Sequence, residues 1–109
     1  MSLTIKEEIK TPWTILHLSG KLDVITSASL DEALYKCFHD GKSHIALDLS
    51  HLAYLSSSGI RVLLSQNKKF FEQKRRFSLY GLPDHIREII RLAGFDKVFV
   101  IVKEFKDLK

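Results

Sequence analysis

Cysteine is almost missing from this chain. Cys37 stands alone among 109 residues, which excludes an internal disulfide. The core must then hold the fold, and folding at this size removes roughly two-thirds of the unfolded chain's accessible surface from water. A chain without disulfides fits a reducing, cytoplasmic setting. No apolar run approaches the roughly 20 residues that cross a bilayer. The opening stretch MSLTIKEEIK lacks the apolar core of a signal peptide, so no membrane insertion is expected. Metal patterns are missing too. One cysteine makes no zinc cluster, and no two of the histidines (His17, His39, His44, His51, His85) stand three or four residues apart. There is no Gly-x-x-x-x-Gly-Lys-Ser phosphate loop. There is also no Gly-x-Ser-x-Gly elbow with a supporting histidine and acid. Neither an enzyme nor a cofactor is expected from these residues.

What is present is ordinary for a globular protein. Hydrophobic residues make up 45% and charged residues 28%, and the length suits one domain over 1–109. The net charge is +4, part of it in KKFFEQKRR, Lys68 to Arg76. A basic run closing a helix is favoured by the helix dipole and reads as a solvated face. It carries no further signature of direct nucleic-acid binding.

The elements follow at short spacing. LTIKEEI (Leu3 to Ile9) and WTILHLS (Trp13 to Ser19) read as strands joined by a tight turn at Pro12, an antiparallel hairpin that Gly20 ends. The period then changes to helical, with Leu30, Ala33, Leu34, Cys37 and Phe38 on one face, Thr26 or Ser27 as cap and Gly41 as stop. HIALDLS (His44 to Ser50) is a third strand. A second helix places Ile60, Leu63, Leu64, Asn67 and Phe71 on one face. FSLYG (Phe77 to Gly81) is a fourth strand. A third helix opens with Pro83 in its first turn, aligns Ile86, Ile89, Ile90 and Ala93, and stops at Gly94. KVFVIV (Lys97 to Val102) is a fifth strand. The order β-β-α-β-α-β-α-β predicts a small α/β domain, a mostly parallel five-stranded sheet with its helices mainly on one face. Trp13 is either an exposed hairpin residue or part of the free sheet face.

Three serines, Ser56, Ser57 and Ser58, stand before Gly59 where the second helix must begin. A capping role needs only one of them. A phosphate on a serine there gains from the helix dipole and from the unpaired N–H groups. Gly59, having no side chain, leaves room for a partner or a phosphate to approach.

ALDLSHLAYLSSSGIRVLL resembles the signature of STAS domains, the family of bacterial anti-sigma factor antagonists. In that signature a strand ending Asp-Leu-Ser leads through an apolar loop to Asp-Ser-Ser-Gly-Leu and a helix. LSGKLDVITSASLDEAL is similar to the family's Gly-x-Leu-Asp segment, and LYGLPDHIREIIRLAGFDKVFVI to its last helix and strand. The likeness covers nearly the whole chain. It implies a small STAS-type βα superhelix. It also implies a switch in which the unphosphorylated antagonist captures a GHKL-type serine kinase that is an anti-sigma factor. That kinase phosphorylates the first serine of the motif and breaks the complex, and a PP2C-type phosphatase resets it. On this sequence the acceptor position is Ser57. Asp23 matches the aspartate before the first helix. Asp23, Ser56, Ser58, Gly59 and Ile60 form the implied partner surface.

One departure stands out. The family's Asp before the acceptor is Ser56 here, which removes a carboxylate beside the hydroxyl and makes Ser56 a rival acceptor. Two other readings stay open: a STAS subunit bracing the ATPase of an ABC lipid-transport system, and a scaffold unit of a stress-signalling assembly.

Overall fold

Apolar alternation builds the sheet, and helical spacing lays three helices over it. The structure, a computed structural model, describes residues 2–109. The order is β1 (Leu3–Lys10), β2 (Trp13–Leu22), α1 (Ser27–His39), β3 (His44–Leu55), α2 (Ser57–Glu72), β4 (Arg76–Tyr80), α3 (Asp84–Leu92) and β5 (Val100–Val102), then a 3₁₀ turn at Phe105–Asp107. The sheet runs β1-β2-β3-β4-β5 in sequence order. Only β1 and β2 pair antiparallel; the other pairs are parallel. The fold expected from the sequence is the fold found.

One core unites the three helices with one sheet face. Leu30 and Leu34 of α1, Leu63 and Phe70 of α2, and Ile86 and Ile90 of α3 pack on Leu16, Ile45, Leu47 and Leu79. Cys37 is buried there, and burial pushes its thiol pKa up to about 11, so it is an apolar filler and not a nucleophile.

The helix surfaces differ from the periodic reading in α2. Phe71, expected in the core, is 76% exposed, whereas Phe70 is fully buried. Gln66, not Asn67, turns inward, because its amide nitrogen donates to Asp31 of α1 at 2.9 Å. Phe70 sets the same register through ring contacts with Phe38 and Phe77, at centroid distances of 5.2 and 5.6 Å.

Four boundaries also move. Gly20 does not end β2. It sits at a register irregularity with φ of +111°, and the strand continues to Leu22. β3 runs five residues past Ser50, because Leu52, Tyr54 and Leu55 pair with Gly20, Lys21 and Leu22. β5 is only Val100–Val102, and Pro83 precedes α3 as its N-cap.

The sheet face away from the helices is not bare. Trp13, 8% exposed, forms a second cluster with Ile15 and Ala46, against which Tyr80, Phe105 and Leu108 pack. The charged tail thus returns to cover the tryptophan. Beside this cluster lies a polar patch. His17 Nδ1 is 2.6 Å from Asp48 on β3, and Nε2 is 2.7 Å from Glu8 on β1. Both ring nitrogens face carboxylates, and only the imidazolium has a proton for each. Partial burial works to lower the His17 pKa, but the hydrogen bonds and charges of Glu8 and Asp48 outweigh it, and the net shift is upward from 6.5.

A pKa raised by folding stabilises fully below the unfolded value and less as pH climbs through the folded one. The imidazole is 34% exposed, so solvent screening holds the effect under about 1 kcal/mol. The urea midpoint is therefore expected to fall as pH is raised from about 6 to about 9, and the His17→Gln variant to lose that slope. A wild-type midpoint flat across this range would show that the triad is not charged as described.

Candidate functional site

The C-terminal ends of β2 and β3 lie side by side, and each leads into a helix at the same edge of the sheet. Leu22 pairs with Leu55, and the Ser56 amide donates to the Leu22 carbonyl at 2.9 Å. The Asp23 loop and the serines therefore lie at the same edge of the sheet.

Asp23 organises the turn into α1. Its carboxylate accepts from the amides of Ile25 and Thr26, each at 2.9 Å. The Thr26 hydroxyl accepts from the Asp23 amide at 2.9 Å and donates to the Lys21 carbonyl at 2.7 Å. The Thr26 amide foremost, with its hydroxyl and the Ile25 amide, holds the Asp23 carboxyl below its ordinary pKa. Thr26 occupies the N-cap position of α1 but makes no side-chain cap, so the expected Thr26 or Ser27 cap is replaced by this Asp23–Thr26 network. Asp23 thus faces its own loop and fixes its shape.

The three serines divide their roles. Ser56 is the N-cap of α2, in extended conformation, and its hydroxyl accepts from the Gly59 amide at 3.1 Å. Ser56, where the resembling signature has an aspartate, is therefore the residue that caps α2. Ser57 is the first residue of the helix and is exposed; Ser58 is half-buried. The first turn of α2 holds no acidic residue, so the positive end of a 16-residue helix stands without a counter-charge from it beside the Ser57 hydroxyl. Loss of the Ser56 cap is expected to lower stability by about 1 kcal/mol in Ser56→Ala. Ser57→Ala, at an exposed first-turn position, is expected to be near neutral in the same thermal melts. Equal losses in both would show that Ser56 is not the cap.

Gly59 and Ile60 do not meet the partner-contact expectation. A Cβ on Gly59 would lie 2.8 Å from Leu22 Cγ and 2.9 Å from Leu55 Cδ1. The room made by this glycine is already taken, and it lets the helix start sit against the strand ends. Ile60 is 5% exposed and points into the core. Residues outside the motif supply the outward surface instead. Val24 and Ile25, 70% and 78% exposed, and Tyr54 at 46% stand on the segments that flank Ser57. One sequence signal marked the first two: a pair of β-branched residues in a loop, outside both the strand and the helix periods.

No helix of the described residues is long and apolar enough to cross a membrane, and none of their His, Cys, Asp and Glu groups forms a metal cluster.

A family model described as the STAS domain matches residues 2–108. The chain is similar to the anti-sigma-F factor antagonist RsfB of Mycobacterium tuberculosis, with 28% identity over 106 residues, covering 97% of this chain and 86% of that protein. It is 30% identical over 87 residues to the putative anti-sigma factor antagonist BtrV of Bordetella bronchiseptica, covering 80% of this chain and 75% of the other. The crystal structure of an anti-sigma factor antagonist from Mycobacterium paratuberculosis superposes with a TM-score of 0.89 at 25% identity, covering 97% of this chain and 90% of that one.

Proposed function

The chain belongs to the STAS domain family, and from that premise we propose that it is an anti-sigma factor antagonist switched off by phosphorylation of Ser57. The partner is a GHKL-type serine kinase that is also the anti-sigma factor, and a PP2C-type phosphatase restores the hydroxyl. The names of its relatives support the antagonist class.

One observation carries the assignment to Ser57. Ser57 is exposed at the positive end of α2, at the strand-end edge that also carries the exposed Val24 and Ile25, while the hydroxyl of the rival Ser56 is engaged as the cap. The unphosphorylated face offers apolar side chains and a neutral hydroxyl to the partner. In the complex the Ser57 oxygen attacks the terminal phosphorus of ATP held by the kinase, ADP leaves, and the hydroxyl proton passes to a base of the kinase. The product adds between one and two negative charges at neutral pH. The helix end tolerates them, since its unpaired N–H groups and dipole favour an anion. The partner interface does not, because it must now desolvate a dianion against apolar contacts. Asp23 and Thr26 hold the loop in the shape that presents Val24 and Ile25. Ser56 and Ser58 border the acceptor.

A second reading rests on Ser56, where the signature has an acid: a STAS subunit that braces a transport ATPase without any phosphorylation. A paired pulldown from native lysate, with the wild type and Ser57→Glu as baits and mass spectrometry of the bound proteins, separates the two. A GHKL-type kinase held by the wild type and lost by the variant supports the switch. A transport ATPase held by both baits overturns it.

A further inference from the structure

β5 is the outer strand of the sheet, three residues long, and begins opposite Ser78 of β4. Below its start opens a groove of about 840 Å³ between the end of α2, the start of β4 and the tail. Its apolar lining includes Phe71, Val98 and Val100, which are 76%, 50% and 56% exposed. That is a large apolar exposure for three neighbouring side chains, and at a strand edge it comes with a main chain able to pair. The groove also carries charge of mostly one sign: Lys74, Arg75, Arg76 and Lys109 against Glu72 and Asp107. Two of the cations are held in place. Arg75 donates to the Phe38 carbonyl at 2.7 Å and stacks over the Phe38 ring, and Arg76 donates to the Lys109 carbonyl at 2.8 Å. Exposed Lys97 and Lys103 flank the strand on either side.

From this geometry we infer that the β5 edge is a docking site for an extended, acidic segment of a partner protein, which adds as a strand beside Val100–Val102. Its apolar side chains enter the groove, and its carboxylates meet the lysines and arginines. Edge-strand addition of this kind takes affinity from the main chain and specificity from alternate side chains. The lysines also disfavour a second copy of this chain in the register that aligns the exposed Val98 with Val102. Antiparallel self-pairing centred on Val100 sets Lys97 directly opposite Lys103 of the other copy, twice, and like charges directly opposed destabilise a strand pair. An acidic strand turns both positions into attractions. Phe71 lies fourteen residues along α2 from Ser57, about 21 Å at the helical rise. The edge is thus a second pole, separate from the serine surface, and the inference stands whether or not Ser57 is phosphorylated.

Two capped heptapeptides test it, Asp-Val-Thr-Val-Thr-Val-Asp and the same peptide with lysine at both ends. They are titrated into the labelled full chain and followed by amide NMR. The acidic peptide is expected to shift the amides of residues 98–103 saturably, with a dissociation constant on the order of 0.1 mM for so small a contact. The lysine peptide should bind about tenfold more weakly, and the double variant Lys97→Glu, Lys103→Glu should reverse that preference. Equal binding of the two peptides, no saturable shift, or shifts centred on residues 56–60 would overturn the inference. So would shifts of the β5 amides with protein concentration alone, together with a dimer in sedimentation, since the occupant would then be a second copy.

Discussion

Ser57→Glu is expected to bind the kinase partner at least about 100-fold more weakly than the wild-type chain, a loss of about 2.7 kcal/mol or more. Ser57→Ala should stay within a few-fold. The argument is one of desolvation. Ser57 is exposed, and the Ser56 amide bonds the Leu22 carbonyl at the foot of the loop that carries the exposed Val24 and Ile25, so a partner covering that loop and the start of α2 also covers the residue-57 side chain. A neutral hydroxyl or a methyl loses little on being covered. A carboxylate without a counter-charge loses several kcal/mol, the range seen when a charge is left unpaired in an interface. The fold itself should not suffer, because an acid in the first turn of α2 complements a helix end that has none. Calorimetric titration of each variant against the kinase, with thermal melts as the control for folding, gives the answer. Similar affinities for the two variants would leave Ser57 as an ordinary first-turn residue.

Phe70→Ala is expected to lower stability by about 3–5 kcal/mol, and Phe71→Ala by about 0.5 kcal/mol or less. Phe70 is fully buried between the rings of Phe38 and Phe77, so its removal loses transfer energy and leaves a cavity. A small domain has only about 5–15 kcal/mol to lose, so the first variant should melt far earlier than the second. Urea unfolding of both resolves the pair. Comparable losses would mean that α2 is rotated from the position described here.

That pair also marks where pattern reading stops. Ile60 and Leu63 lie in the core under either helix register, and the adjacent Phe70 and Phe71 satisfy a 3.6-residue period about equally. The choice came from outside the helix, from Asp31 on α1 bonding Gln66 and from the two rings that receive Phe70. A polar glutamine in the core is not legible in a hydrophobic pattern, because its partner lies 35 residues away. β3 shows the same limit. The stretch from His51 to Leu55 breaks simple alternation, so a local reading ends at Ser50. The strand persists because β2 continues beside it through a register irregularity.

The candidate site was legible to a different degree. Ser56, Ser57 and Ser58 stood out by their place before a helix and Asp23 by resemblance alone, and the fold brings the two segments together through the Leu22–Leu55 pairing. The parts played by Gly59 and Ile60 were not, since a glycine before a helix looks the same whether the space beside it is open or filled by Leu22 and Leu55. Val24, Ile25 and Tyr54 were passed over because exposure of an apolar residue is a property of what fails to pack on it.

The sequence by itself determined the element order, the parallel sheet after one hairpin, and the helix start that carries three hydroxyls. These follow from local periodicity, turn residues and capping, each written within a few neighbouring residues. Tertiary structure alone decided which phenylalanine is core, which glycine is filled, that Trp13 is covered by Phe105 and Leu108, and that Glu8, His17 and Asp48 meet on the opposite face. Those outcomes depend on contacts between residues far apart in the chain, where one position's burial or charge is set by whichever element arrives beside it.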